Sequence, residues 1–157
     1  MQKRNLINLL LTGTNSKLLS TCLLLLRCTV GVILFIVGSG KVLGWFGGFG
    51  METTINFFVT KQGFSVLLAY MSSYTEFIGG FLLIVGLLTR PAAFAVMINM
   101  VVATIVSLPR GFVGGAAYPF TFLISAVIIL LAGPMIYSID SLLLRPGEVI
   151  SELHEQE

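Results

Sequence analysis

Charge is scarce in this chain. Lys, Arg, Asp and Glu make up 10% of its 157 residues, against 56% from the hydrophobic set. A soluble domain of this length needs a far more polar surface, so the deficit excludes a soluble globular protein. Histidine is almost missing. His154 stands alone in a polar tail, so no pair of intramembrane histidines can hold a haem, and no His/Cys/carboxylate cluster has metal-site spacing. The cysteines, Cys22 and Cys28, lie six apart in one apolar run without a CxxC. That spacing puts them on different helix faces, too far apart for an unstrained disulfide, and they read as small core residues. No glycine-rich phosphate loop joins a strand to a helix, and no Ser/His/Asp set is present. The net charge of +2 is spread over loops and helix ends, without the basic stripe that a nucleic-acid partner requires. With no redox centre or metal site of its own, the chain can only bind a diffusible carrier or a partner that brings the centre.

What the sequence does have is long apolar runs: Leu18–Leu43, Phe64–Leu88, Pro91–Leu108 and Tyr118–Ile139. Each is long enough to cross a hydrocarbon core, which takes about 20 helical residues. The expected fold is all-α and integral to the membrane, one domain over 1–157 built as a four-transmembrane-helix bundle. Arg27 inside the first run, and the absence of a small-residue cleavage site after it, mark that run as a helix that stays rather than a removable signal peptide. Lys3, Arg4, Lys17, Arg90 and Arg145 lie on the side of the termini, Lys41, Lys61 and Arg110 opposite, which places both termini in the cytoplasm by the positive-inside rule.

The connections differ in kind. "NLINLLL" in the first seventeen residues suits a tail lying flat on the membrane, with Asn15 or Ser16 as helix cap. After the first helix, "GWFGGFG" leads into a stretch with Met51, Ile55, Phe58 and Val59 at near-helical spacing. This predicts a short amphipathic interfacial helix over 51–60 in the first outer loop, anchored by Trp45 and neighbouring Phe side chains, acting as a plug or as a lid over a cavity. "LTRPAA" is very short, and Pro91 suits a helix start, so helices two and three form a tight antiparallel hairpin. The last residues form an acidic, exposed tail.

Polar side chains inside the apolar runs are the candidate site. Counting inward from the ends of the runs at 1.5 Å per residue puts Glu76 roughly 18 Å deep, Arg27 roughly 14 Å and Asn99 about 12 Å. A lone charge there costs at least about 2.5 to 3.5 kcal/mol, so Arg27 and Glu76 are expected to pair, with Asn99 beside them. Arg27, Gly31, Phe35, Gly38 and Lys41 form one stripe, and Glu76, Gly79, Gly80, Leu83, Gly86 and Arg90 another. Gly31, Gly38, Gly79, Gly80 and Gly86 are the expected helix-packing positions, since small residues let helices approach in lipid. The Arg27, Glu76 and Asn99 cluster has two readings, a structural clamp or the lining of a pocket that polarises a quinone carbonyl or passes a proton. Lys41 is expected to snorkel to the outer interface, as a possible contributor from that side.

The stretches "LLRCTVGVILFIVGSGKVLGW", "EFIGGFLLIVGLLTRPAAFAVMINM" and "GPMIYSIDSLLL" together resemble the DoxX family of small four-helix bacterial membrane proteins. The matches fall on Arg27, Gly31, Phe35, Gly38, Lys41, Glu76, Gly79, Gly80, Gly86, Thr89 and Arg90, then on Gly133, Pro134, Tyr137, Ser138 and Asp140. The resemblance implies a quinol oxidase or thiosulfate:quinone oxidoreductase type of subunit in a bacterial inner membrane, with lipid, other membrane subunits and quinone as partners. Where the family often has a histidine this chain has Val37, and where helix four often opens on an acidic residue it has "AAYPF". Those departures shift weight towards the alternative, a purely structural accessory subunit. A small transporter is disfavoured, because the chain lacks an internal repeat.

Overall fold

The computed structural model describes residues 16–134 and 137–143. The predicted tail over 1–17, its helix cap at Asn15, and the acidic end with His154 lie wholly or mostly outside them. Helix α1 spans Ser16–Leu43, and a 3-10 turn at Trp45–Gly47 leads to α2, Gly50–Gln62. Then follow α3, Val66–Val85, and α4, Thr89–Ser107. A 3-10 turn at Leu108–Arg110 and a π turn at Phe112–Ala116 run into α5, Ala117–Ala132, and a short α6 covers Ile139–Leu143. Among the described residues, four helices are long and apolar enough to cross a membrane. The short α2 lies between the first two of them, as the sequence predicts.

Local chemistry sets the helix ends. Ser65 caps α3, its hydroxyl accepting the Leu68 N–H at 3.4 Å. Gly86, at φ 73°, ends α3 in the left-handed conformation that a side chain resists, and its N–H donates to the Leu82 carbonyl. Three residues later α4 has begun, with Pro91 in its first turn, so the predicted tight hairpin is present. Two bounds differ from the sequence reading by three residues or more. Helix α3 stops at Val85 rather than Leu88, and α5 stops at Ala132 rather than Ile139, because Gly133 adopts φ 72°, ψ −164° and Pro134 cannot extend a helix.

Helix α1 packs closely along α3, and α4 along α5, whereas α3 and α4 approach each other less. Leu34, Leu83, Val96, Met100, Phe122 and Ile129 fill the core between the pairs. The α1/α3 seam is set by glycine. A Cβ on Gly31 would lie 2.9 Å from the Gly80 carbonyl oxygen, and one on Gly38 would penetrate the backbone of Phe77 and Glu76. At Gly31, Gly38 and Gly80 the backbones of the two helices approach each other directly. Gly79 faces α4 instead, its added Cβ 3.0 Å from a Val96 methyl.

Candidate functional site

The glycine seam fixes which buried charges can meet. Gly38 of α1 stands level with Glu76 and Phe77 of α3, so Lys41, one turn further on, reaches the carboxylate. Lys41 Nζ lies 2.6 Å from Glu76 Oε2, and the Asn99 amide donates to Oε1 at 3.4 Å. Glu76 is 5% exposed and the Lys41 side chain 26%, so the carboxylate is buried and the ammonium partly covered. The expected Arg27–Glu76 pair does not form. Arg27 is eleven residues before Gly38, about 16 Å along the helix axis, beyond the span of its side chain. Lys41 consequently turns inward rather than snorkelling outward.

Arg27 has a different place, at the end of the bundle that carries the α3–α4 turn. Its guanidinium donates from Nη1 to the Pro134 carbonyl at 3.2 Å and from Nη2 to the Tyr137 carbonyl at 2.5 Å. It fills the space beside Gly86, where an added Cβ would lie 2.8 Å from Nη2. Asp140 closes the same knot: its two carboxylate oxygens accept the Leu88 and Thr89 N–H groups at 2.7 and 2.8 Å, and its own N–H donates to the Gly86 carbonyl at 3.0 Å. These bonds hold Leu88 in a left-handed conformation, φ 49°, that an unsupported leucine avoids. Partial burial pushes the Asp140 carboxyl up. The Thr89 N–H, the adjacent Thr89 hydroxyl, the Leu88 N–H and the Arg27 charge outweigh that effect and hold it below the usual carboxylate range. Arg90, against Gly133, completes the group.

Above Glu76, towards the end opposite this knot (the distal end), α3 and α4 leave a cavity of about 220 Å³. Lys41, Glu76 and Asn99 form its polar end; Phe58 and Gln62 of α2 lie over it, with Phe64 beside them. Phe58 also carries the Lys41 ammonium 5.9 Å from its ring centroid, a cation–π distance that ties α2 to the ion pair. On α2, Thr54 is buried and Met51, Ile55, Phe58 and Gln62 are partly covered, while Glu52, Asn56, Val59 and Lys61 are exposed. Val59 thus leaves the predicted inner stripe, and Gln62 joins the cavity lining. A second, more open groove of about 250 Å³ lies on the other side of Lys41, between Ile36, Val37, Gly40 and the Trp45–Phe49 segment.

Sequence reasoning brought Glu76 and Asn99 together, placed Arg27 with them, and left Lys41 at the margin. The missed signal was in the glycines. Aligning the small residues of the two stripes in antiparallel register slides Lys41 onto Glu76 and Arg27 onto Gly86.

The DoxX family model matches residues 22–108, more than half of the chain and all of Lys41, Glu76 and Asn99. A Bacillus subtilis (strain 168) protein named "Putative oxidoreductase CatD" is 33% identical over 118 residues, covering 74% of this chain and 83% of that protein. No solved structure matches.

Proposed function

The chain belongs to the DoxX family, and we propose that it is an integral membrane subunit of a bacterial oxidoreductase assembly that holds a quinone headgroup between α3 and α4. The name of the Bacillus subtilis relative supports the link to redox chemistry. One observation carries the reading: a buried carboxylate, with a partly buried ammonium and amide beside it, stands at one end of a largely apolar cavity within the membrane span. Pockets for small organic ligands have this character, apolar walls with a few placed polar groups, and at about 220 Å³ this one lies below the range of about 300–1,000 Å³ for drug-sized ligands. It suits a ring headgroup whose tail stays outside.

Each polar group has a role in that reading. Lys41 and Asn99 are the donors for a quinone carbonyl, and Glu76 is the acceptor for a quinol hydroxyl and a place to hold its proton. The redox centre belongs to a partner subunit. The protein lies in the inner membrane with both termini cytoplasmic, and α2 rests as an amphipathic helix at the outer interface. Lipid extraction and mass spectrometry of the gently solubilised protein test this: wild type should carry quinone and Lys41→Met should not. Wild type free of quinone, purified with stoichiometric partner subunits, would contradict it.

A second reading has its own support. The Arg27, Gly86 and Asp140 knot spends much of the family signature on holding helices together. A structural accessory subunit without chemistry would need that knot and no ligand.

A further inference from the structure

The cavity's walls say more than its polar end. Between Glu76 and the distal end its walls include Leu68, Met71, Ile98 and Val102, with Ser72 and Thr75 as small polar groups among them. All four are also exposed on the outside of the bundle, from 44% for Val102 to 58% for Met71. In a membrane that outside is lipid, so these side chains belong both to the cavity and to the lipid-facing surface. Helices α3 and α4 are tied together at the Gly86–Leu88 turn and by the Asp140 bonds, and they pack less closely with each other than α1 with α3 or α4 with α5. The end above the cavity is covered by Phe58 and Gln62 of α2 and by Phe64.

From this geometry we infer that the cavity is entered sideways from the bilayer, through the α3–α4 seam between Met71 and Val102, by an amphiphile whose apolar tail remains along that seam. The inference rests on the quinone reading for the headgroup and adds the route and the tail subsite. Two physical arguments support it. A ligand arriving from water would have to displace α2 and separate Phe58 from the Lys41 ammonium, whereas entry from lipid leaves α2 and that contact in place. A cavity too small for a whole tailed molecule leaves the tail to the apolar groove next to it, where the released contact is with lipid of the same polarity and costs little.

The test uses a benzoquinone with a ten-carbon tail bearing a diazirine at its far end, photolysed with the full-length protein in nanodiscs and mapped by peptide mass spectrometry. Labels should fall on α3 around Leu68 and Met71 and on α4 around Ile98 and Val102, and an excess of unlabelled tailed quinone should remove them. Met71→Trp and Val102→Trp, which fill the seam without touching the polar end, should each lower that labelling by about tenfold, a loss of about 1.4 kcal/mol in binding. Labelling that is removed by competitor but lies on other helices, or that ignores both tryptophans, would overturn the lateral route while leaving the quinone site standing. Labelling of the seam that no quinone removes, and that a diazirine phospholipid reproduces, would show an ordinary lipid groove and overturn both. Wild-type protein with no removable labelling anywhere would overturn the quinone site and the route with it.

Discussion

Lys41 and Glu76 illustrate how much a buried pair depends on its register. At 2.6 Å, with the carboxylate 5% exposed, neither partner can be removed alone without stranding the other. Lys41→Met and Glu76→Gln should therefore each lower stability by more than their combination does, with a coupling of about 0.5–3 kcal/mol in a double-mutant cycle measured by unfolding in detergent. Additive losses would show that the pair carries no interaction. Asp140 makes a contrasting prediction. Its carboxyl is held below the ordinary value of about 3.9, so its contribution is fully present above that pH and is lost as pH falls through the lower folded value. Asp140→Asn should lower the melting temperature at pH 7 and flatten the acid limb of the stability profile. An acid limb identical to wild type would detach Asp140 from the knot. That Glu76 and Arg27 are buried was legible from their positions deep inside long apolar runs. Their partners were not, because depth was counted from the ends of apolar runs, and α1, 28 residues long, is longer than about 20 residues of span.

Among elements, the α1/α3 seam and the α3–α4 wedge do opposite work. The seam is closed by backbone meeting backbone, so its glycines should rank by what their new Cβ would strike. Gly80→Ala would drive a methyl to 2.5 Å from the Phe35 nitrogen, whereas Gly79→Ala meets only a Val96 methyl at 3.0 Å, which can yield. Gly80→Ala should cost about 1–3 kcal/mol in detergent unfolding and Gly79→Ala clearly less. The reverse order would mean that α1 does not lie on α3 as described. Both glycine stripes were visible in the sequence through helical periodicity. The early ends of α3 and α5 were not, since hydropathy continues past them and only the glycine dihedrals at Gly86 and Gly133 reveal the stops.

For the whole molecule, the described residues divide into two regions along the bundle. Residues at the turn end, Arg27, Gly86, Thr89 and Asp140, bond to backbone and to one another, while Lys41 and Glu76 lead into the cavity. If the bundle spans the bilayer in the proposed direction, cysteines placed at Lys61 and at Glu155 should label from opposite faces of sealed vesicles, and labelling from one face would contradict four crossings. The division itself was hidden from sequence, where both sets of residues appear as one run of polar and small positions. Equilibrium binding of a tailed benzoquinone to purified wild type, Lys41→Met, Asn99→Ala and Asp140→Asn tests it most directly. The account predicts about tenfold weaker binding for the first two variants, each losing a donor at the cavity, and near wild-type affinity for Asp140→Asn despite its lower melting temperature. Wild-type affinity in Lys41→Met and Asn99→Ala, or no measurable binding to wild type, would contradict it.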